Sequence, residues 1–84
     1  MMGGELGRLR WRCRRGMKEL DLLLCGYLDA EYEEADPDRK DAFSRLLDCP
    51  DPLIYDYFLG RALPPDPALT ALIRQITIRR SNRR

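Results

Sequence analysis

The stretch DPDRKDAFSRLLDCPDPLIYDYFL, from Asp36 to Leu59, decides the fold. It holds two Asp-Pro dipeptides, Asp36-Pro37 and Asp51-Pro52, and a third follows at Asp66-Pro67 with the same spacing. An aspartate carboxylate accepts hydrogen bonds from the free N–H groups at a helix start. Proline in the first turn removes no donor that the helix needs and brings its φ already set. Each dipeptide therefore predicts a helix N-terminus. Apolar residues follow each one at helical intervals: Phe43, Leu46 and Leu47, then Ile54, Tyr57 and Phe58, then Leu69, Leu72, Ile73 and Ile76. Steps of three and four residues place each set on one face of a helix. The intervening segments do not resemble one another, so the even spacing is not a repeat.

Upstream, Leu20, Leu23, Leu24, Tyr27 and Leu28 form the longest apolar stripe, predicting a helix from about Met17 to about Ala35. Gly26 within it costs about 1 kcal/mol against alanine, which is tolerable where a neighbour packs close. A first helix, about Glu5 to Arg14, turns Leu6, Leu9 and Cys13 inward and is broken by Gly16. No alternating apolar run bounded by turn residues predicts a strand. The expected architecture is all-α, a single-domain bundle of five short helices over residues 5–79, with residues 80–84 as a basic, flexible tail. The longest connection is Gly60-Arg61-Ala62-Leu63-Pro64-Pro65.

With 84 residues the chain has room for one core. Its reactive side chains exclude more than its length does. There is no histidine; serine occurs only at Ser44 and Ser81, and threonine only at Thr70 and Thr77. Histidine acid–base chemistry and the Ser-His-Asp arrangement are thus out of reach. Cys13, Cys25 and Cys49 show no CxxC pairing and read as reduced core thiols, with no metal site expected. The start of the chain has no apolar signal-peptide core, and no window approaches the roughly 20 apolar residues of a membrane span. The expectation is an unprocessed cytoplasmic protein that does not insert into a membrane.

The net charge of +1, from 15 Lys and Arg against 14 Asp and Glu, hides a segregated pattern. Arg8, Arg10, Arg12, Arg14, Arg15 and Lys18 form a basic run without an acid, whereas the segment from Asp29 to Asp41 is acidic apart from Arg39 and Lys40. On a helical projection Trp11 falls opposite Leu9 and Cys13, on the side of Arg8 and Arg15. Tryptophan and arginine on an outward face are the residue types that dominate interface hot spots. A solvated basic face, with Trp11 packed on a second neighbour and Gly16 as an ordinary left-handed helix-ending glycine, remains the alternative.

The run Trp11-Arg12-Cys13-Arg14-Arg15-Gly16-Met17-Lys18-Glu19-Leu20-Asp21 resembles the signature of the succinate dehydrogenase assembly factor family, the SdhE-type flavinylation factors. Their hallmark is an Arg-Gly-x-x-Glu motif joining the first two helices of a five-helix domain, here Arg15-Gly16-Met17-Lys18-Glu19. Leu46-Leu47 followed by Asp51-Pro52-Leu53 resembles a second stretch of the family. Tyr57 stands where the family leads one to expect tryptophan, and the Pro64-Pro65 loop differs.

This resemblance implies a non-enzymatic assembly role. Such proteins bind the flavoprotein subunit of succinate dehydrogenase, in some bacteria also of fumarate reductase, and promote covalent attachment of FAD to a histidine of that client. It implies client contacts through Arg8, Trp11, Arg15, Gly16, Met17 and Glu19. No cofactor is stably bound by the factor itself, FAD being the client's, and the factor is a monomer. Arg15 would fork onto a client carboxylate, Gly16 would admit close backbone approach, and Glu19 would pair with a client cation or orient Arg15. The competing readings are a nucleic-acid-binding module using the basic helix, disfavoured by the acidic segment and the balanced charge, and an antitoxin-like interaction protein. A carboxylate enzyme is the least favoured, because five short helices leave little room for a deep pocket.

Overall fold

A computed structural model describes residues 4–82, with side chains over residues 6–79. Five α-helices follow in order: α1 (Gly4–Cys13), α2 (Lys18–Ala30), α3 (Pro37–Leu47), α4 (Asp51–Leu59) and α5 (Pro67–Asn82), with a single 3-10 turn at Tyr32–Glu34 between α2 and α3. No strand occurs among the described residues. The α1–α2 hairpin and the α3–α5 pair close around one core, with α2 also packed on α4 and α5.

Every stripe expected from the sequence faces that core. Cys13, Leu20, Leu24, Phe43, Leu46, Ile54 and Leu72 are completely buried, and Leu9, Leu69 and Ile76 nearly so. At its centre the Phe43 ring lies 5.1 Å from Tyr27 and 5.5 Å from Tyr32, both tilted. Full burial of one such side chain stabilises by roughly 1.5–3 kcal/mol, against about 0–1 kcal/mol for an exposed ion pair, so the core rather than the abundant surface charge holds the bundle together. Tyr57, at the position that departs from the family pattern, is also buried.

Four details differ from the sequence reading. The second helix ends at Ala30, not near Ala35, and the chain tightens into the 3-10 turn. Glu31, Glu33 and Glu34 would place like charges against the negative end of the helix dipole, while Tyr32 is drawn inward onto Phe43. Helix α4 is capped by Pro50 instead of Asp51: the N–H groups of Leu53 and Ile54 donate to the Pro50 carbonyl, because the Asp51 carboxylate is engaged elsewhere. Only Cys13 is a core thiol, its pKa pushed up to about 12 by burial and by the neighbouring Cys25; Cys25 and Cys49 are half-buried. At the C-terminus α5 continues to Asn82, because no glycine or proline stops it, so helical backbone includes residues 80–82 of the expected tail. Residues 83–84 lie outside the described residues.

The other two Asp-Pro starts behave as expected. Asp36 accepts from the Arg39 N–H at 2.8 Å, and Asp66 accepts from the Leu69 N–H at 2.9 Å. Asp66 also ties α3 to α5 by taking Arg45 Nη1 at 2.6 Å. The Arg45 hydrogen bond first, then the Leu69 N–H, hold the Asp66 carboxyl below its ordinary value of 3.8. A carboxyl depressed on folding adds stability that is fully present above its unfolded pKa and is lost as the pH falls through the folded one. Asp66→Ala should therefore melt below the parent chain near neutral pH, with the gap narrowing as the pH drops below about 3.8. A pH series of thermal melts measures this; a gap that persists unchanged in acid would contradict it.

Gly26 is explained by packing. A Cβ there would come within 3.1 Å of Arg79 Nη1 from α5, and the Arg79 guanidinium lies 3.4 Å from Glu31, which also accepts from Gln75. The small residue leaves room for the Arg79 guanidinium to lie over α2.

Candidate docking site

The turn between α1 and α2 is built by backbone and carboxylate together. The Arg14 N–H donates to the Trp11 carbonyl as α1 closes, and the Arg15 N–H donates to Asp21 Oδ1 at 2.6 Å. The Asp21 N–H in turn donates to the Met17 carbonyl at 2.8 Å, so Asp21 brackets the loop from the first turn of α2. Gly16 has φ +87°, in the left-handed region where a Cβ is strained. A Cβ on it would meet nothing within 4 Å, so the glycine serves the turn while its outer side stays open.

Arg15 turns inward. Its Nε donates to Asp51 Oδ1 at 2.7 Å, Nη1 to the carbonyls of Arg12 and Leu47 at 3.0 and 2.9 Å, and Nη2 to that of Cys49 at 2.7 Å. Its side chain is only 15% exposed. Leu47 and Cys49 lie where α3 ends, and carbonyls there lack helical partners, so a cation satisfies both their hydrogen bonding and the helix dipole. Guanidinium offers five N–H donors in a rigid fork, and four contacts inside the chain leave no free fork for a partner's carboxylate. The bidentate client contact expected of Arg15 is thus not what the geometry offers; the side chain pins the motif loop to the α3–α4 junction.

The rest of the basic run divides by direction. Arg10 pairs with Asp29 of α2, and Arg12 pairs with Asp48 while also donating to the Ser44 carbonyl, so α1 is gripped on both flanks. Arg8, Arg14 and Lys18 make no ion pair or side-chain hydrogen bond among the described residues. Trp11 stands between Arg8 and Arg14 on the outer ridge, 76% exposed, which settles its placement as outward. Met17 caps α2 in extended conformation and is exposed. Glu19 is exposed at the start of α2 and accepts from the Tyr55 hydroxyl at 3.1 Å, tying it to α4.

Residues not named as client contacts from the sequence complete the arrangement: Asp21 and Asp51 as supports, Arg14 and Lys18 as outward cations, and Leu22 as a large exposed apolar group. Leu22 was legible, since it falls off the Leu20, Leu23, Leu24 stripe and one turn after Lys18. Asp51 was not, because its sequence context marks it only as a helix start. Two surface grooves share Arg39 and Gln75 and involve none of the motif residues: one of about 340 Å³ between α2, α3 and α5, and one of about 630 Å³ between α3, the loop before α5, and α5. No cluster of three Cys, Asp or Glu side chains among the described residues could hold a metal ion, and no described helix is long and apolar enough to cross a membrane.

The fold is thus a small helical platform that presents a glycine-centred turn and an exposed tryptophan beside outward cations. Residues 7–80 match the family model described as flavinator of succinate dehydrogenase, and the chain belongs to that family. It is 49% identical over 72 residues to a protein of Methylococcus capsulatus named FAD assembly factor SdhE, covering 86% of this chain and 87% of that one. Proteins of the same name from Shewanella oneidensis, 41% identical over 86% of this chain and 88% of that one, and Coxiella burnetii, 42% identical over 82% and 84%, are also similar.

Proposed function

We propose that this chain is an FAD assembly factor that binds the flavoprotein subunit of succinate dehydrogenase in the cytoplasm and promotes covalent attachment of FAD to a histidine of that subunit. The observation that carries this reading is the family match across the motif loop, presented outward on the docking ridge. The chain contains no histidine, which accords with a flavin bond formed on a histidine of the client and with a factor that is not an enzyme in its own right. FAD is the client's cofactor. Trp11, Arg8, Gly16, Met17 and Glu19 contact the client, and Arg15 acts as a positioning residue behind them. Docking favours the client arrangement in which flavin and histidine are held close, which raises the reactive population without a catalytic group on the factor. The flavoprotein of fumarate reductase is a second client of the same chemistry, and the factor works as a monomer. A nucleic-acid role has less support, because Arg10, Arg12 and Arg15 are each neutralised within the fold.

The test is reconstitution. Purified apo flavoprotein subunit is mixed with FAD, with and without the factor, and covalent flavin is read as fluorescence retained in a denaturing gel. The factor should raise the rate of covalent attachment severalfold; equal rates with and without it would rule the reading out.

A further inference from the structure

The basic run was read as six cations, but the fold leaves only three of them for a partner. Steps of about 100° along α1 put Trp11 opposite the inward Leu6, Leu9 and Cys13 and Arg8 about 60° to one side of it, while Arg14, one residue past the helix, is held beside Trp11 by its N–H bond to the Trp11 carbonyl. Arg10 and Arg12 fall on the flanks, where their pairs with Asp29 and Asp48 hold α1 to its neighbours. The outer ridge is therefore an aromatic ring between two unpaired guanidiniums. Lys18 continues the positive charge onto α2, and Met17 and Leu22 add exposed apolar surface on the same hairpin. A tryptophan that is 76% exposed gains nothing for the isolated bundle, while aromatic side chains bury large apolar area when a partner covers them. Unpaired cations around an apolar anchor fit a partner of opposite sign, and such rim charges act mainly on the encounter rate.

We propose that this ridge docks on an acidic patch of the flavoprotein that surrounds an apolar cleft, with Trp11 entering the cleft and Arg8, Arg14 and Lys18 meeting the carboxylates at its rim. The proposal rests on the assembly-factor reading and adds the chemistry of the client surface. It also divides the basic run into cations that fold the protein and cations that recognise the partner. Among the described residues the three outward cations and Trp11 make no ion pair or side-chain hydrogen bond that their replacement would break, so their variants should keep the fold.

Association with the purified flavoprotein subunit, followed at low and high salt, is the test. Arg14→Glu combined with Lys18→Glu should slow association at least roughly tenfold at low salt, with the deficit shrinking as salt is raised. Trp11→Ala should weaken binding by roughly 30-fold or more at either salt, mostly through faster dissociation. Arg74→Glu, an exposed unpaired cation on α5, should bind as the parent does. Parent-like association of the Arg14/Lys18 reversal, with the parent itself binding and promoting flavinylation, would overturn the acidic-patch proposal and leave the assembly role standing. Failure of the parent chain to bind the flavoprotein at all would overturn both.

Discussion

Arg15→Ala should melt about 12 °C or more below the parent chain, the largest loss of stability expected from any single surface-region substitution here. The side chain is 15% exposed and Asp51 31%, and the guanidinium also serves three backbone carbonyls. Truncating it leaves a part-buried carboxylate and the Leu47 and Cys49 carbonyls without their donor. Breaking one side of a buried ion pair costs about 3–5 kcal/mol, and partial exposure favours the lower figure. For a domain of this size about 3 kcal/mol corresponds to a shift of roughly 12–24 °C. By comparison, Arg10→Ala removes a pair that is half exposed on both sides and should cost under about 1 kcal/mol. Lysine at position 15 carries the charge but not the fork, so Arg15→Lys should recover only part of the loss. Thermal melts of the three variants decide the matter: if Arg15→Ala melts with Arg10→Ala, the arginine does not pin the loop. Binding of Arg15→Ala to the flavoprotein, measured where the variant is still folded, should fall far less than that of Trp11→Ala.

The bundle was legible in the sequence because its signals are local. Caps, proline positions and apolar spacing act within one or two turns, and the core stripes of all five helices faced inward as their spacing required. Trp11 was legible for the same reason, as the residue opposite Leu9 and Cys13. What stayed hidden depends on pairing across long separations. Arg15 and Asp51 are 36 residues apart, and each has a sufficient local explanation, one as part of a surface motif and the other as a helix cap. Their contact reassigns both: α4 starts one residue early, and the arginine of the motif faces the fold. Likewise the basic run looked like one electrostatic feature until Asp29 and Asp48, from two other parts of the chain, took two of its members. A charge pattern along a helix therefore overstates what a partner meets, and only the cations left over after folding belong to the docking surface.

Gly16 is where backbone conformation and partner contact can be separated. At φ +87° any residue with a Cβ is strained, by about 1–2 kcal/mol, except that asparagine tolerates the left-handed region better than most. Nothing lies within 4 Å of the Cβ position, so the first atom of any substituent finds open space. Stability should therefore rank glycine above asparagine, and asparagine above alanine and arginine. Client binding should rank by size instead: glycine, then alanine, then asparagine, then arginine, because each added atom projects from the surface that the client covers. Forcing extra volume into a packed contact costs roughly 1–3 kcal/mol, so Gly16→Arg should weaken binding and the resulting flavinylation by about ten- to hundredfold beyond what its stability loss explains. The informative comparison is asparagine with alanine, because the two scales cross there. If Gly16→Asn is both the more stable and the tighter binder, the glycine serves only the turn, and the client does not approach it.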